Sequence, residues 1–319
     1  MRVLVTGNLG YLGPIVVNRL KELGHYVIGI DAGWYLPTMD LKDTHYLPNE
    51  QIFADLRDVE KQLPKDIHAV VHLAGLSNDP MSEIDETLTR RINVMSTIEI
   101  VEKYEHATHV IASSASVYGA SARNRLSHEN DTPAPLTAYA KAKNDIDIWM
   151  ERNQYVDGYG GYYSTSLRFG TLWGWSPNMR RDIVVNAFCW QAAFNYEIAP
   201  NSTARRPMLH VNDAAEVIAY FVGRNLPGVY NVSGENTDVS QIAVKVATAT
   251  EAALVPCPES LVDNRDYWLD TSKLNNVMRH TFVTLDNAAE IRKVHDAAKA
   301  LGKDYPTRIQ RAKEIFTRQ

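Results

Sequence analysis

The sequence predicts an α/β protein in which a parallel sheet carries helices on both faces. Short apolar runs of strand character alternate with helical segments along the first 170 residues. A glycine-rich turn joins the first strand to the first helix, and the second strand ends on an acid, Asp31. Together these observations favour a doubly wound parallel sheet with a ligand site at the ends of its strands.

The first predicted unit consists of strands at 2–5 and 26–30 with a helix at 15–23 between them. The turn before the helix carries Gly7, Gly10 and Gly13. Gly7 allows the tight turn, Gly10 lets the backbone approach a pyrophosphate, and Gly13 lets the helix pack close to the sheet. Because the helix N-terminus then offers unpaired N–H groups to phosphates, the segment predicts a dinucleotide site of the Rossmann type.

Asp31, at the end of the second strand, indicates which dinucleotide binds. A carboxylate there accepts hydrogen bonds from a ribose diol and repels a 2′-phosphate, so the predicted cofactor is NAD rather than NADP. The glycine spacing is G-x-x-G-x-x-G rather than the simplest G-x-G-x-x-G fingerprint. The strand, helix and acid around it nevertheless have the order that the site requires.

The remaining predicted elements continue the alternation and then interrupt it. Strands are predicted at 69–74, 109–114, 164–169 and 228–232, and helices at 85–105, 138–151, 239–250, 287–301 and 307–316. Residues 1–170 are predicted to form the NAD-binding domain, to which 228–233 return as a sheet strand. In residues 171–319, prolines interrupt the alternation of strands and helices. These residues are predicted to form mainly a smaller, interleaved substrate-binding lobe.

Composition excludes several classes of function. The chain has 319 residues, 45% of them hydrophobic, with 33 Lys and Arg against 38 Asp and Glu and a net charge of −5. Without a basic stripe or a long apolar run, we expect neither nucleic acid nor a membrane as a partner. Cys189 and Cys257 are too few for a disulfide framework or a metal cluster. We therefore expect no metal site, no signal peptide and a cytoplasmic location.

Tyr139 and Lys143 lie four residues apart on one face of the predicted helix 138–151. A neighbouring cation lowers the pKa of a phenol, so we expect Lys143 to make Tyr139 a usable base near neutrality. The preceding strand ends in Ser113 and Ser114, and the Ser114 hydroxyl could polarise a substrate hydroxyl or carbonyl. The alternative is that Tyr139 and Lys143 occupy a solvated helix face and that the serines cap the strand.

A series of segments, taken together, resembles the extended short-chain dehydrogenase/reductases. Within that family it looks most like the nucleotide-sugar epimerases and dehydratases, such as UDP-glucose 4-epimerase. The resemblance runs in order over about residues 1–275. The segments are 6–13, Asp31, 55–58, 72–75, Asn93, 113–119, the Tyr139 and Lys143 pair, and 167–174.

The resemblance implies a role for each matched residue. Ser114, Tyr139 and Lys143 would form the catalytic triad, and residues 169–171 would face the nicotinamide and the sugar. The implied cofactor residues are Gly7, Gly10, Tyr11, Leu12, Gly13, Asp31, Asp55, Leu56, Leu73, Ala74, Gly75, Asn93, Tyr139, Lys143 and Phe169. The implied substrate residues are Ser114, Thr171, Asn186, Arg206 and Arg265.

Two arginine segments continue the resemblance in the second lobe. Residues 205–213 and 264–267 are similar to the family's segments that close over a nucleotide diphosphate. Guanidinium groups bind phosphate through paired hydrogen bonds, so Arg206 and Arg265 suit a diphosphate clamp, whereas Arg205 suits a surface salt bridge. One segment departs from the pattern, because 198–203 stands where many relatives carry a glycine-rich stretch.

The residues after Ser114 narrow the reaction type. Family 4,6-dehydratases follow their catalytic Thr with Asp-Glu, whereas this chain has Ala115 and Ser116, which cannot supply acid–base chemistry. The leading hypothesis is an NAD-dependent nucleotide-sugar epimerase that acts through a 4-keto intermediate. The alternatives are an NAD(P)H-dependent reductase of a 4-keto sugar nucleotide and a cofactor-binding regulator that has lost catalysis.

The resemblance also implies a homodimer formed through the helices at 85–105 and 138–151. The apolar positions Leu88, Ile92, Ile146 and Trp149 motivate this expectation.

Overall fold

A seven-stranded sheet and a three-stranded sheet form the framework of the protein. The computed structural model describes residues 1–58, 62–77, 79–121, 125–156, 160–257, 263 and 265–316. The strands are β1 (Arg2–Thr6), β2 (Tyr26–Asp31), β3 (Glu50–Phe53), β4 (Ala69–His72), β5 (Thr108–Ser114), β6 (Tyr163–Phe169), β7 (Thr171–Trp173), β8 (Arg205–His210), β9 (Gly228–Val232) and β10 (Glu235–Asp238). The large sheet has the order β3-β2-β1-β4-β5-β6-β9 and is parallel throughout. The small sheet has the order β10-β8-β7.

Helices connect these strands. They are α1 (Gly13–Glu22), α2 (Asp79–Ser82), α3 (Glu86–Arg90), α4 (Ser96–Lys103), α5 (Ala138–Arg152), α6 (Val184–Ala193), α7 (Val211–Phe221), α8 (Val239–Thr250), α9 (Ser272–Val277), α10 (Ala288–Leu301) and α11 (Arg308–Phe316). Single 3₁₀ turns occur at Leu36–Thr38, Thr44–Tyr46 and Ala115–Tyr118.

Alternate residues of β1 show that helices cover both faces of the large sheet. Val3 and Val5 belong to a buried cluster that includes Leu20 of α1. Leu4 belongs to a separate cluster that includes Ile100 of α4. Because successive strand side chains point to opposite faces, the two clusters lie on opposite sides, and the predicted doubly wound parallel fold is confirmed.

The strand order places a crevice at the middle of the large sheet. β1 lies between β2 and β4, so the order of the strands reverses beside β1. Loops that leave the carboxyl ends of the strands diverge at such a reversal and leave room for a ligand. β9 pairs with β6, so the chain returns to the large sheet after passing through the small one.

The helix predicted at 85–105 is divided into three parts. Asp85 caps α3, because its carboxylate accepts a hydrogen bond from the Leu88 N–H at 2.9 Å. A π-helical turn at Arg91–Met95 joins α3 to α4. Such turns widen a helix locally and occur often at functional sites. This one contains Asn93, a predicted cofactor residue.

Several elements were not predicted from the sequence, among them β3, β8, α6 and α7. β3 is a four-residue edge strand whose side chains are largely exposed, so it lacks an apolar run. α6 packs against both α8 and α10 and is buried on most of its surface. It therefore lacks the apolar stripe by which an amphipathic helix is recognised.

The predicted dimer face is partly occupied within the single chain. Ile92 and Ile146 are 8% and 1% exposed, and each belongs to an internal apolar cluster. Leu88 and Trp149 are only partly buried. The homodimer stays a prediction, and Ile92 and Ile146 do not support it, because their side chains pack within the chain itself.

A buried ion pair fixes α5 to β6. Arg168 Nε lies 2.7 Å from the Asp147 carboxylate, and the two side chains are 3% and 1% exposed. The Ser166 hydroxyl donates to the other oxygen of the same carboxylate. Asp147 lies one turn beyond Lys143 in α5, and Arg168 precedes Phe169 in β6. The ion pair therefore sets the position of helix and strand at the predicted site.

We expect Asp147→Ala to lower the free energy of unfolding by about 3–5 kcal/mol, because it leaves the Arg168 charge buried without a partner. Urea denaturation measures this loss. Asp145→Ala is the matched control on the same helix. It removes the exposed Asp145–Arg90 pair, which is 42% and 63% exposed, and should cost less than about 1 kcal/mol. If both variants lose the same small amount of free energy of unfolding, the buried ion pair does not hold α5 against β6.

Candidate active site

A cavity of about 770 Å³ opens at the carboxyl ends of the central strands. Its wall includes Gly7 after β1, Asp31 at the end of β2, Ser114 at the end of β5 and Phe169 at the end of β6. All the predicted site residues line it except Asn93 and Asn186. The sheet therefore brings together residues that lie up to 258 positions apart, from Gly7 to Arg265.

The glycine turn forms one end of this wall. Gly7 has a φ of +70°, and a Cβ atom there would lie 2.6 Å from the Ala74 nitrogen. A Cβ atom at Gly13 would lie 2.5 Å from the Asn8 backbone. Any larger residue at either position would push the turn away from the sheet. The turn is therefore compact, and no side chain at Gly10 separates its backbone from the cavity.

The Asp31 carboxylate is fixed at the cavity wall by the backbone. One oxygen accepts a hydrogen bond from the Leu9 N–H at 3.0 Å, and the other accepts from the Gly33 N–H at 2.8 Å. Burial raises the pKa of Asp31, and these two hydrogen bonds act in the opposite direction. Asp55, also on the wall, pairs with Arg57 at 2.7 Å, which holds the pKa of its carboxyl below the ordinary value.

Asn93 lies behind the cavity wall. Its side-chain oxygen accepts a hydrogen bond from the Leu76 N–H at 2.8 Å, and its amide donates to the Leu76 carbonyl at 3.1 Å. A Cβ atom at Gly75 would lie 2.9 Å from that same oxygen. The π-helical turn thus aims Asn93 at the loop after β4, where it fixes the backbone of Leu76.

Ser114, Tyr139 and Lys143 meet on the cavity wall. The Tyr139 hydroxyl interacts with the Ser114 side chain, which lowers the pKa of the phenol. The Lys143 ammonium donates to the Ala112 carbonyl at 2.5 Å and lies 5.9 Å from the centre of the Tyr139 ring. Lys143 is 7% exposed, so the alternative of a solvated helix face does not hold for it.

The prediction that Lys143 makes Tyr139 a stronger acid is wrong for this arrangement. The pKa of Tyr139 is raised to about 12, mainly by burial and also by the Asp79 charge. The interaction with Ser114 and the charge of Arg180 act in the opposite direction. Burial also lowers the pKa of Lys143 to about 8, so the lysine itself loses part of its tendency to be charged.

Arg206 and Arg265 share a carboxylate at the other end of the cavity. Arg265 makes a two-pronged contact with Asp263 at 3.0 Å to each oxygen, and it also pairs with Asp79 at 2.8 Å. Arg206 donates to Asp263 as well. The two arginines thus lie together on Asp263, a central acid that was not predicted, and their binding of a diphosphate stays a prediction. Asn264, in the same predicted segment, lies outside the described residues.

Asn186 does not face the cavity. Its side-chain oxygen accepts from the Gly174 N–H at 3.3 Å, and its amide donates to the Tyr11 hydroxyl at 3.3 Å. The Tyr11 hydroxyl in turn donates to the Gly174 carbonyl at 2.6 Å. The segment 198–203, which departs from the family pattern, does reach the cavity through Asn201 and Ser202.

Tyr35, Arg180, Asp182 and Arg308 are among the wall residues that were not predicted as site residues. Arg180 makes a two-pronged pair with Asp182 at 3.0 and 3.1 Å. Tyr35 follows β2 in an irregular loop, and Arg308 is the first residue of α11. None of the four lies in a segment whose spacing carries a functional signal, so only the fold brings them to the cavity.

The described ranges contain no group of three or more His, Cys, Asp or Glu residues able to hold a metal ion. Within them, every helix is too short or too polar to cross a lipid bilayer.

Residues 3–233 match the NAD dependent epimerase/dehydratase family. This stretch includes the glycine turn, Asp31, the Ser114–Tyr139–Lys143 group and Arg206. The chain belongs to that family. The predicted recognition is thereby confirmed, and NAD is the family's cofactor.

Two curated relatives share about a quarter of their residues with the chain. Protein CapI of Staphylococcus aureus is 25% identical over 256 residues, which cover 75% of this chain and 74% of that protein. The probable UDP-glucuronate 4-epimerase of Rhizobium meliloti strain 1021 is 25% identical over 210 residues, which cover 59% of this chain and 58% of that protein. The chain thus matches a little over half the length of the second relative.

A solved structure shows the same fold. The UDP-glucuronic acid 4-epimerase from Bacillus cereus, in complex with UDP-glucuronic acid and NAD, superposes with a TM-score of 0.78 at 22% identity. The superposition covers 95% of this chain and 100% of that one.

The cavity fits NAD at its glycine end. Gly10 lines the cavity with its backbone and has no side chain to keep a pyrophosphate away. The fixed Asp31 carboxylate lies at the end of β2, the position from which an acid contacts the adenosine ribose.

The buried Lys143 should leave a signature in the pH dependence of stability. Its pKa is about 8 in the folded protein against 10.5 for an exposed lysine. Between these pH values the unfolded chain binds a proton that the folded protein does not. The contribution of Lys143 to the free energy of unfolding therefore increases as pH rises. We expect wild type to gain stability relative to Lys143→Met from about pH 8 to about pH 10.5. Urea denaturation across this range tests it, and a constant difference would contradict it.

Proposed function

We propose that the protein is an NAD-dependent nucleotide-sugar 4-epimerase that acts through a 4-keto intermediate. The observation that carries the proposal is the meeting of Tyr139, Ser114 and the buried Lys143 on one cavity wall. The positions after Ser114 add no acid or base to the cavity. Ala115 is 1% exposed, and the Ser116 hydroxyl donates to the Ser114 oxygen at 2.9 Å. This favours epimerisation over elimination of water.

Tyr139 is the proposed general base in this reaction. Its phenolate takes the proton of the sugar C4 hydroxyl, and the phenol later returns it. Ser114, beside Tyr139, holds the C4 oxygen and stabilises charge on it. NAD held at the strand ends would supply a reversible hydride acceptor for C4, so that the hydride can return to the opposite face of the sugar. Since burial raises the pKa of Tyr139, the base needs positive charge nearby, and oxidised NAD, Lys143 and Arg180 are the proposed sources.

The proposed cofactor site occupies the strand ends of residues 1–170. The helix α1 N-terminus and the glycine turn bind the pyrophosphate, Asp31 binds the adenosine ribose, and Asp55 and Leu56 lie against the adenine. Lys143 binds the nicotinamide ribose, and Phe169 packs at the nicotinamide. Asn93 acts as a positioning residue, because it fixes the loop after β4 rather than facing the cavity.

The proposed substrate site lies mainly in residues 171–319. Arg206 and Arg265 bind the nucleotide diphosphate, and Asp263, which they now share, holds both guanidinium groups ready. Thr171 lines the cavity beside Phe169, where the sugar must lie for Tyr139 to reach C4. The names of the relatives favour a UDP-sugar, with UDP-glucuronic acid as the first compound to assay.

Tyr139→Phe is the most specific test of this proposal. The variant keeps the ring and its packing but removes the group that moves the proton. Turnover of a nucleotide sugar that wild type converts should fall by at least about 10²- to 10⁴-fold. Cofactor binding should change little, because the glycine turn and Asp31 remain. Product analysis by chromatography measures the rates.

Tyr104→Phe is the control for that experiment. It also removes a partly buried hydroxyl, which donates to the Pro64 carbonyl at 2.8 Å, but Tyr104 lies outside the cavity wall. Its turnover should stay near wild type. Equal rates for Tyr139→Phe and Tyr104→Phe would sink the proposed role of Tyr139.

A further inference from the structure

Arg308 brings a charged group from the C-terminal helix to the cofactor end of the cavity. It is the first residue of α11, and it lines the cavity together with Thr307 and Ile309. α11 is anchored there by apolar contacts, because Ala312 and Ile309 belong to the cluster that contains Leu76, Met81, Ile92, Trp34 and Tyr35. The helix therefore covers the loops that follow β2 and β4.

Only part of the hydrogen-bonding capacity of Arg308 is used. Its Nη2 donates to the Asn178 carbonyl at 3.1 Å and to the Asn178 side-chain oxygen at 2.9 Å. Its guanidinium carbon lies 4.0 Å from the centre of the Tyr35 ring. Nη1 is buried and has no hydrogen-bond partner among the described residues.

The charge of Arg308 is also not paired. No carboxylate of the described residues forms a salt bridge with it, although the side chain is 5% exposed. Asp182 and Asp31 act on it electrostatically, but Asp182 is engaged by Arg180, and Asp31 accepts two backbone hydrogen bonds. Burial outweighs these carboxylates and lowers the pKa of Arg308 to about 10. A buried cation with an unused N–H at a cavity wall fits an anion in that cavity.

The contacts of Asn178 locate this anion. Its side-chain amide donates to the Leu9 carbonyl at 2.6 Å and to the Tyr35 carbonyl at 3.0 Å. Leu9 lies in the glycine turn, so Asn178 holds Arg308 beside the turn that receives a pyrophosphate. Arg206 and Arg265, at the other end of the cavity, differ from Arg308 because both donate hydrogen bonds to the Asp263 carboxylate.

We propose that Arg308 binds the pyrophosphate of NAD, so that α11 completes the cofactor site. The inference rests on the cofactor position proposed above. The backbone N–H groups of the glycine turn are neutral donors, and Arg308 adds a positive charge and a forked donor opposite them. The cofactor site is then not confined to residues 1–170, because Arg308, in the part of the chain predicted to bind the substrate, binds the cofactor.

Arg308→Met tests the proposal through binding rather than activity. Retention of NAD is measured by gel filtration of the full chain, and the binding of ADP and adenosine is measured by calorimetry. A hydrogen bond to a charged group corresponds to about a tenfold to hundredfold change in affinity. We expect ADP to bind about that much more weakly to Arg308→Met, adenosine to bind as to wild type, and Arg308→Lys to fall between.

Arg311→Met is the control on the same helix. Arg311 Nε donates to the Trp34 carbonyl at 3.1 Å, and its Nη1 pairs with Glu314. The variant therefore loosens α11 without removing a charge from the cavity wall, and its ADP affinity should stay at the wild-type value.

The outcomes separate this inference from the proposed function. If wild type binds neither NAD nor ADP, the proposed cofactor site fails. If wild type binds them and Arg308→Met retains NAD and binds ADP equally well, only the role of Arg308 fails. An equal loss of ADP and adenosine affinity would assign Arg308 to the support of α11 and would also overturn the inference.

Discussion

The site depends on the way α5 is held against β5 and β6. Two polar contacts fix that helix: the Asp147–Arg168 ion pair to β6 and the hydrogen bond from Lys143 to the Ala112 carbonyl of β5. Both are buried in a region where an unpaired charge would be costly, so the helix has one favourable position. In that position Tyr139 meets Ser114, which is the last residue of β5. The pairing of a helix residue with a strand residue 25 positions away thus follows from how the two elements dock.

The same buried contacts determine the chemistry of the group. Removing Tyr139 and Lys143 from water disfavours the charged form of each, so the phenol becomes a weaker acid and the lysine a weaker base. Arg180 already lowers the pKa of Tyr139, and positive charge that enters the cavity with a ligand would lower it further. In our account, proton transfer by Tyr139 is therefore linked to occupation of the cofactor end, where Asp31, the glycine turn and Arg308 converge.

The sequence was sufficient to predict the parts of the site that follow a known sequence motif. The glycine turn, Asp31 and the four-residue spacing of Tyr139 and Lys143 are local signals, and the structure places all of these residues on one cavity wall. Asn93 and Asn186 were expected to contact the cofactor and the substrate. Their side chains instead form hydrogen bonds with the protein backbone. Arg308 and Asp263 carry no local signal, because their importance arises from contacts across the fold. The direction of the Tyr139 pKa shift also requires the structure, because burial outweighs the neighbouring cation that the sequence suggests.

The central claim is that the hydrogen removed from C4 returns to the same carbon, while Tyr139 moves only the hydroxyl proton. The most direct measurement is conversion of a nucleotide-sugar substrate in D₂O, followed by mass spectrometry of the product after its hydroxyl groups are exchanged back in H₂O. The account predicts a product without carbon-bound deuterium, because the C4 hydrogen never exchanges with solvent. Deuterium bound to carbon would show that a C–H proton is lost to solvent, and it would contradict epimerisation by removal and return of hydride at C4.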